Sequence, residues 1–357
     1  MPFDLDNRFS RTETPRQRQD RRLVAGWLFA ICAMLVVMVG LGGATRLTGS
    51  GLSIMEWAPL SGVLPPWSDA EWRRLFALYQ QIPQYALVNS GFGLGGFKHI
   101  FWLEWTHRLW GRLIGLVFAV PLVVFWARGL IRRGLWLRLL AFFVIGGLQG
   151  AVGWFMVASG FEADSTAVSA YRLVMHLLLA LALYAAILWT ALSVLRPGGP
   201  RVASSRAFRR LITLACCLVG VTILAGGFVA GLHAGLIYNT FPLMGDSLAP
   251  PEYASMHPFI RNLTENLAAV QFDHRLLATA TALVVLATVA VGLAAPLPRR
   301  VRLAVAAMGA VVVAQYGLGV ATLLSAVPPA LATAHQVTAV LLLTAGLVAL
   351  HLDRRLS

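Results

Sequence analysis

The sequence predicts an all-α membrane protein whose eight transmembrane helices form two tandem four-helix bundles. Three observations lead to this fold class. Of the 357 residues, 58% are hydrophobic and 12% are charged, and the mean hydropathy is +0.72, whereas soluble domains contain about 25% charged residues. Eight apolar runs are each long enough to cross a bilayer. Short motifs in the first four runs return in the last four.

Each apolar run is predicted to be one transmembrane helix. A hydrocarbon core about 30 Å thick requires about 20 apolar residues. A single segment that crosses it must be helical, because lipid offers the backbone no hydrogen-bond partners. The runs lie at residues 22–43, 98–126, 138–158, 169–195, 211–232, 268–293, 303–324 and 330–352.

The basic residues predict the orientation of these spans. The two tails and the connections after spans 2, 4 and 6 hold 20 of the 29 Lys and Arg residues, so the positive-inside rule places both termini in the cytoplasm. The net charge of +14 is spread over five short segments, which argues against a nucleic-acid partner. The N-terminal tail is polar, contains acidic residues and lacks the pattern of a cleaved signal. We therefore expect a multi-pass protein of a bacterial inner membrane.

The second half of the chain repeats the first in order, which is the strongest organisational signal. The paired segments are "GGATRLTGSGL" (42–52) and "GGFVAGLHAGL" (226–236), "HRL" (107–109) and "HRL" (274–276), and "QGAVG" (149–153) and "QYGLG" (315–319). Four spans per unit is an even number, so both units cross the membrane in the same direction, related by a pseudo-twofold axis along the membrane normal. The predicted domains are a cytoplasmic tail (1–21), an N-terminal bundle (22–195), a cytoplasmic linker (196–210), a C-terminal bundle (211–352) and a cytoplasmic tail (353–357).

Four histidines occupy repeat-related positions inside the spans: His107, His176, His274 and His335. In each unit they lie on the second and fourth spans, near the outer end. Two imidazoles facing each other across a bundle can ligate haem iron axially. A lone histidine in a membrane helix more often forms interhelical hydrogen bonds, but the repetition of the pair favours ligation. The residue four positions after each histidine is Gly or Ala, which leaves space on the same helix face.

The other four histidines and the three cysteines are interpreted as ordinary residues. We expect the histidines to be interfacial polar side chains and the cysteines, which all lie in spans, to be small packing residues. These residues are His99, His233, His257, His351, Cys32, Cys216 and Cys217. The tryptophans of the first outer loop are expected to form an interfacial belt.

Taken together, "EWTHRLWGR" on span 2, "LQGAVGWFMV" on span 3, "FDHR" on span 6 and "TAHQ" on span 8 resemble the haem A synthase family of proteobacteria and mitochondria, over about residues 22–352. The resemblance implies oxidation of the C8 methyl group of haem O to a formyl group, giving haem A for cytochrome c oxidase. It also implies that His107 and His176 face the iron of the substrate haem O in the N-terminal half. His274 and His335 would ligate a resident haem b in the C-terminal half. Some members have a cysteine pair in the first outer loop, but residues 44–97 contain no cysteine here, so no role of such a pair is transferred.

One difference between the repeats assigns the chemistry to the N-terminal half. Glu104 lies three residues before His107, on the same helical face, whereas Gln271 precedes His274. Glu104 is therefore a candidate general acid or base beside the methyl group that is oxidised. The structural alternative is an ion pair between Glu104 and a nearby arginine. Both roles are compatible.

The arginines that follow the span 2 and span 6 histidines have two interpretations. Arg108 and Arg275 could bind the haem propionates, because a guanidinium group matches a carboxylate in a bidentate manner. They could equally extend toward the outer headgroups. The sequence favours neither.

Other functions use parts of the same pattern. A two-haem cytochrome b that only transfers electrons would need the same four histidines and no chemistry on the haem. A di-iron carboxylate bundle needs more acidic ligands than the spans contain, and a transporter is disfavoured because no span is interrupted at mid-membrane. Besides haem O and lipid, the resemblance implies a haem O synthase and an unidentified electron donor as partners, and a homo-oligomer is a further expectation.

Overall fold

The computed structural model describes residues 14–59, 61–163, 165–195 and 205–354. Most of the predicted N-terminal tail (1–13), the linker residues 196–204 and residues 355–357 lie outside these ranges. Eight long helices in the described part are long and apolar enough to span a membrane, which confirms the predicted number of spans. They are α1 (Pro15–Leu47), α4 (Leu94–Ala127), α5 (Arg133–Ala158), α6 (Ala170–Leu195), α7 (Arg206–Gly231), α8 (Leu267–Ala294), α9 (Arg299–Leu324) and α10 (Pro329–Arg354), and two short helices, α2 (Asp69–Tyr79) and α3 (Pro83–Leu87), lie in the first outer loop.

Several helices begin at a polar residue that caps their free N–H groups. Thr14 forms a capping box with Gln17 at the start of α1. Ser205 accepts a hydrogen bond from the backbone N–H of Phe208, and Asn266 accepts bonds from the N–H groups of residues 268 and 269. Such caps satisfy donors that have no partner within the helix. They explain why α1 and α7 start five to seven residues before the predicted apolar runs, since hydropathy alone does not register a polar first turn.

The helices contact each other as two rings of four. Helices α1, α4, α5 and α6 pack in a cycle, each on the next, and α7, α8, α9 and α10 do the same. The rings meet along α1, α6, α7 and α10, where a continuous apolar core contains Leu28, Ile187, Val219 and Val340. This packing is compatible with the two predicted bundles.

The interface between the rings uses the second residue of each glycine pair. A Cβ atom on Gly43 would lie 2.4 Å from Oε1 of Gln336 on α10, and one on Gly227 would lie 3.1 Å from a methyl group of Val174 on α6. A larger residue at Gly43 would require the Gln336 side chain to move, and one at Gly227 would require Val174 to shift by a few tenths of an ångström. The glycine pairs therefore set how closely the first helix of each ring approaches the last helix of the other.

The first outer loop forms a small folded cap and not only an aromatic belt. Trp72 and Tyr79 of α2 are buried against Phe97 and Phe101, which lie on the outer extension of α4. The expectation that all loop tryptophans line the membrane interface is wrong for Trp72. The reason is that the amphipathic helix α2 turns this side chain inward over the N-terminal ring.

Two expectations at the inner side of the protein are corrected by burial. His351 is 2% exposed. It shares a 3.1 Å hydrogen bond with Ser193 Oγ and lies edge-on to Trp189, so it is a core residue and not an interfacial one. The side chain of Cys217 on α7 is exposed on the surface of the protein, so it is not a packing residue. Cys32 is buried, as expected. The histidines at 99, 233 and 257 are exposed, in agreement with the prediction.

Candidate functional site

Each of the four span histidines lies against a glycine of a neighbouring helix in the same ring. His107 on α4 faces Gly42 on α1, where an added Cβ would lie 3.2 Å from the imidazole Nε2. In the other ring His274 on α8 faces Gly226 on α7 in the same way, with Cε1 at 3.0 Å. These glycines are the first residues of the two repeated glycine pairs. The imidazole rings therefore occupy the space that any larger residue would fill.

The fourth helix of each ring repeats the arrangement. His176 on α6 lies against Gly153 on α5, and His335 on α10 lies against Gly319 on α9. In both cases the position of an added Cβ would be 2.9 Å from the imidazole Cε1. The glycines are the last residues of the repeated "QGAVG" and "QYGLG" motifs. Thus four histidine and four glycine positions correspond between the two halves.

The two histidines of each pair lie on helices of the same ring, His107 and His176 on α4 and α6, and His274 and His335 on α8 and α10. All four side chains are half-buried. Across the described residues there is no group of three or more His, Cys, Asp or Glu side chains that could hold a metal ion. Two imidazoles per ring, each against a glycine, would fit as ligands of a haem iron better than a site in which protein alone ligates the metal.

Two glutamines of α5 and α9 contact the fourth-helix histidines. The side-chain amide of Gln149 is 3.1 Å from Nδ1 of His176, and the main-chain carbonyl of Gln315 is 3.2 Å from Nδ1 of His335. The side-chain Oε1 atoms of both glutamines are buried without a hydrogen-bond partner among the described residues. The glutamines thus occupy equivalent places but use different groups.

Glu104 is buried, 2% exposed, and its carboxylate accepts four hydrogen bonds. The donors are Ser53 Oγ (2.7 Å), the Ile54 backbone N–H (2.9 Å), and Nε (3.0 Å) and Nη2 (2.5 Å) of Arg108. The structure therefore contains the ion pair that was the structural alternative for Glu104. It ties the start of the first outer loop to α4, one turn from His107.

Arg108 and Arg275 hold the outer segments in the same way in both halves. Arg108 donates to the carbonyl oxygens of Ile54 (2.8 Å) and Glu56 (2.9 Å). Arg275 donates to those of Tyr238 (2.7 Å) and Thr240 (2.9 Å). Ile54 and Tyr238 both lie two residues after the repeated Gly-Leu pair. We call each set of arginine-to-carbonyl hydrogen bonds an arginine clamp. The two clamps are equivalent, and each holds an outer segment over its ring.

The two halves differ at the residue one helical turn before the clamp arginine, which is Glu104 in the N-terminal half and Gln271 in the C-terminal half. Where Glu104 accepts the Ile54 N–H, Gln271 donates to the Tyr238 carbonyl at 3.0 Å. The N-terminal half therefore contains a buried carboxylate at the outer side of its histidine pair. The C-terminal half contains a neutral amide.

The chain matches the model of the COX15-CtaA family, described as cytochrome oxidase assembly protein, over residues 25–347. It is 61% identical over 341 residues to Heme A synthase from Granulibacter bethesdensis, covering 95% of this chain and 89% of the relative. Heme A synthase 2 from Acidiphilium cryptum is 48% identical over 333 residues, or 92% and 90% of the two chains. Heme A synthase from Nitrosospira multiformis is 46% identical over 354 residues, or 97% and 99%.

The chain belongs to the COX15-CtaA family. The matched region begins in α1 and ends in α10, so it contains both rings and all four histidines. The resemblance stated from the sequence motifs is thereby confirmed at the level of the family.

Sequence reasoning missed the residues of this family member that position the histidines. Space for a flat group was expected at the residue four positions after each histidine, but a Cβ on Gly111 would meet the methyl of Met38 at 3.2 Å. The glycines that touch the imidazoles lie on neighbouring helices. The repeated motifs around Gly42 and Gly153 were the available signal, because a residue that recurs with its histidine is a candidate for contact with it.

The aromatic support of the Arg108 clamp was also missed. Trp154 on α5 stacks on Trp57 of the outer loop, with ring centroids 6.2 Å apart, and the Arg108 guanidinium lies 5.6 Å from the Trp154 ring centroid. A cation on an aromatic face contributes about 0.5–2 kcal/mol. Trp154 therefore helps to hold the clamp on the outer side of the N-terminal ring.

Proposed function

We propose that the chain is a haem A synthase, which oxidises the C8 methyl group of haem O to the formyl group of haem A. The observation that carries this proposal is the arrangement of two imidazoles, each against a glycine, that recurs in both rings. It is supported by curated relatives named Heme A synthase at 46–61% identity. The reaction comprises two successive hydroxylations of the methyl group. The resulting geminal diol loses water to leave the aldehyde.

The two rings have different roles in this proposal. His107 and His176 hold the substrate haem O in the N-terminal ring, and His274 and His335 ligate a resident haem b in the C-terminal ring. A bound haem b supplies one-electron chemistry that no side chain of the protein provides. Support for the division comes from the single buried carboxylate beside the N-terminal pair and the amide at the equivalent position of the other ring.

Glu104 holds or transfers protons in this proposal while its ion pair keeps it in place. Of its four donors, only the Ser53 hydroxyl can also accept a proton. A proton that reaches the Glu104 carboxyl from the outer segment would therefore pass through Ser53, which is 2% exposed. Arg108 balances the charge of the carboxylate and fixes its direction. Positioning and proton transfer are thus combined in one cluster.

Arg108 and Arg275 directly follow His107 and His274 and donate to carbonyls of the outer segments, and a haem held by either histidine pair carries propionates that a guanidinium can bind. In this proposal they bind propionate in addition to the loop carbonyls. The buried Nε of Arg275 has no hydrogen-bond partner in the described part of the chain, so this guanidinium has a donor left. Propionate binding and loop closure would then depend on the same residue.

The membrane setting of the proposal follows from the eight spans and the charge distribution. The protein would lie in a bacterial inner membrane with both termini in the cytoplasm, receive haem O from its synthase, and receive electrons from an unidentified donor. A homo-oligomer is a further expectation. The histidine seats would then lie toward the outer face of the membrane.

The proposal is tested by expressing the chain with a haem O synthase in cells that lack haem A and extracting the pigments. Haem A in the extract is the expected result. A protein that retains haems in both rings but yields no haem A would instead be the electron-transferring cytochrome b considered above. The Gly317→Ala variant is a useful control, because an added Cβ there meets no atom within 4 Å and the residue has no role in the proposal.

A further inference from the structure

Arg112 is a cation within the α4 span that no carboxylate of the described residues neutralises. Its Nε donates to the carbonyl oxygen of Pro59 (2.9 Å) and its Nη2 to that of Ala58 (2.7 Å). Its Nη1 is buried and has no hydrogen-bond partner in the described part of the chain. Arg108, one turn away, is instead paired with Glu104. An unpaired cation in a membrane helix is costly, so the charge of Arg112 indicates a partner that the chain itself does not supply.

Arg112 lines a lateral groove between α4 and the first outer segment. The groove has a volume of about 410 Å³, and its walls are formed by Pro59, Val63, Leu109, Arg112, Leu113 and Leu116. Every one of these residues except the arginine is apolar. Leu113 is 39% and Leu116 is 60% exposed, so the groove opens on the surface that meets lipid. Leu109 and Leu116 lie about 180–200° around the helix from His107, which separates the groove from the histidine pair.

The depth of Arg112 matches the level of phospholipid headgroups. His107 faces Gly42, which lies at the outer end of the predicted apolar run 22–43. Arg112 is five residues further along α4, about 7.5 Å deeper. Its bonds to the two loop carbonyls draw the side chain back toward the outer segment, the direction in which an arginine carries its charge out of the hydrocarbon region. The guanidinium therefore lies near the boundary between acyl chains and headgroups.

We propose that this groove binds one phospholipid, with its phosphate on Arg112 and an acyl chain along the three leucines. A phosphate oxygen accepts a charge-assisted hydrogen bond from a guanidinium N–H and balances its charge. The leucines of the groove cover the chain and are themselves removed from contact with polar groups. A lipid without phosphate would leave the charge unpaired, and free phosphate would leave the apolar walls uncovered. This inference does not depend on the proposed function.

The site belongs to the N-terminal half alone. Thr279 occupies the position equivalent to Arg112, and its hydroxyl lies 3.0 Å from that of Tyr316. In the N-terminal half the Ala58 carbonyl accepts from Arg112 and also from the Gly62 N–H (3.1 Å), and a Cβ on Gly62 would lie 2.8 Å from Nη2 of the arginine. The guanidinium thus joins the outer segment to the phosphate. Lipid bound there should protect the first outer segment from proteolysis.

The test counts the lipid bound to the purified full-length chain in detergent by native mass spectrometry. The probe is dioleoylphosphatidylglycerol. Dioleoylglycerol, which has the same chains without the phosphate, and inorganic phosphate are the comparison ligands. We expect the wild type to retain one phosphatidylglycerol and neither comparison ligand. Arg112→Gln should weaken this binding by about tenfold or more, as for the loss of one hydrogen bond to a charged group.

Arg128→Gln is the matched control, because it removes an arginine from the inner end of the same helix and does not line the groove. It should bind phosphatidylglycerol like the wild type. Leu116→Trp is a second variant if Arg112→Gln does not fold. Position 116 is exposed to lipid, so tryptophan is tolerated there, but it fills the groove and should also reduce retention. Monodisperse elution reports folding in each variant.

Three results would overturn the inference. The first is equal retention of phosphatidylglycerol by the wild type and either folded groove variant. The second is an equal loss in Arg128→Gln, which would indicate general attraction to positive charge. The third is equal binding of dioleoylglycerol, or of inorganic phosphate in place of the lipid. Protease cleavage of the first outer segment, measured with and without the probe, gives an independent readout, and it should slow with the probe in the wild type but not in Arg112→Gln.

Discussion

A methyl group placed at Gly319 should displace His335 and remove haem b from the C-terminal ring. The added Cβ would lie 2.9 Å from Cε1 and 3.5 Å from Nδ1 of the imidazole, whereas ordinary contacts begin at 3.4 Å. The ring must therefore move by about 0.5 Å or more, which is the tolerance of a preorganised ligand geometry. Overpacking of this kind costs about 1–3 kcal/mol. If the whole cost falls on ligation, haem b affinity decreases by about 5- to 150-fold.

The chain provides a matched control for Gly319→Ala on the same helix. Gly317 has no atom within 4 Å of an added Cβ and faces outward, so Gly317→Ala should fold and bind haem b like the wild type. Haem b is quantified per protein as the pyridine haemochrome after purification in detergent. Gly153→Ala, with Gly150→Ala as its control, should instead reduce haem O retention and leave haem b unchanged. Full haem b in Gly319→Ala, or an equal loss in Gly317→Ala, would refute the assignment of this glycine as the seat of a ligand.

Three further predictions concern Glu104, the C-terminal histidines and an ion pair in the first outer loop. Glu104→Gln keeps a side chain of the same shape beside Ser53, so the purified variant should retain haem b and yield no haem A in pigment extracts; normal haem A would leave Glu104 with a structural role only. His274→Ala and His335→Ala should each lose haem b together with activity, and a normal haem b spectrum in either would contradict the ligand assignment. The Arg74 guanidinium lowers the pKa of Glu56 below its ordinary value of 4.5. The ion pair between them therefore stabilises the folded loop above pH 4.5, and this stabilisation is lost as the pH falls below that value. Protease cleavage of the first outer segment should therefore increase at low pH in the wild type, and Arg74→Ala, which removes the ion pair at every pH, should abolish the increase.

The spans were predictable because a bilayer imposes one length and one type of structure on an apolar run. The cap was not, because α2 is an 11-residue helix with charged residues on one face, and its burial depends on the outer extension of α4. The carboxylate at Glu104 was recognised as exceptional by its position in an apolar run. Its ion pair with Arg108 was one of the two roles that the sequence offered. The donors Ser53 and Ile54 were not predictable, since they belong to a segment about 50 residues away in the sequence.

The surroundings of the histidines were likewise predictable only in part. The repeat identified His176 and His335 as equivalent, and it also contained Gly153 and Gly319 in paired motifs. Contact between them depends on how α5 and α9 are rotated against their neighbours, and the sequence period does not fix that rotation. The left-handed residue that precedes the short turn after the first helix of each ring makes the same point. It is Gly49 (φ 66°) in one half and His233 (φ 54°) in the other, so the backbone of the turn was kept although the residue changed.

In the proposed function, this separation between backbone and side chain lets one duplicated fold hold two haems with different roles. The elements that position the histidines and the outer segments recur in both halves: the glycines against the imidazoles, the histidine depth and the arginine bonds to Ile54 and Tyr238. The elements that differ act through single groups, a carboxylate against an amide at 104 and 271, and a side chain against a main-chain contact at 149 and 315. A duplicated bundle needs its helices to pack identically to keep the ligands in place. Its chemistry can therefore diverge only at side chains that contact the ligands or the outer segments without supporting the helix packing.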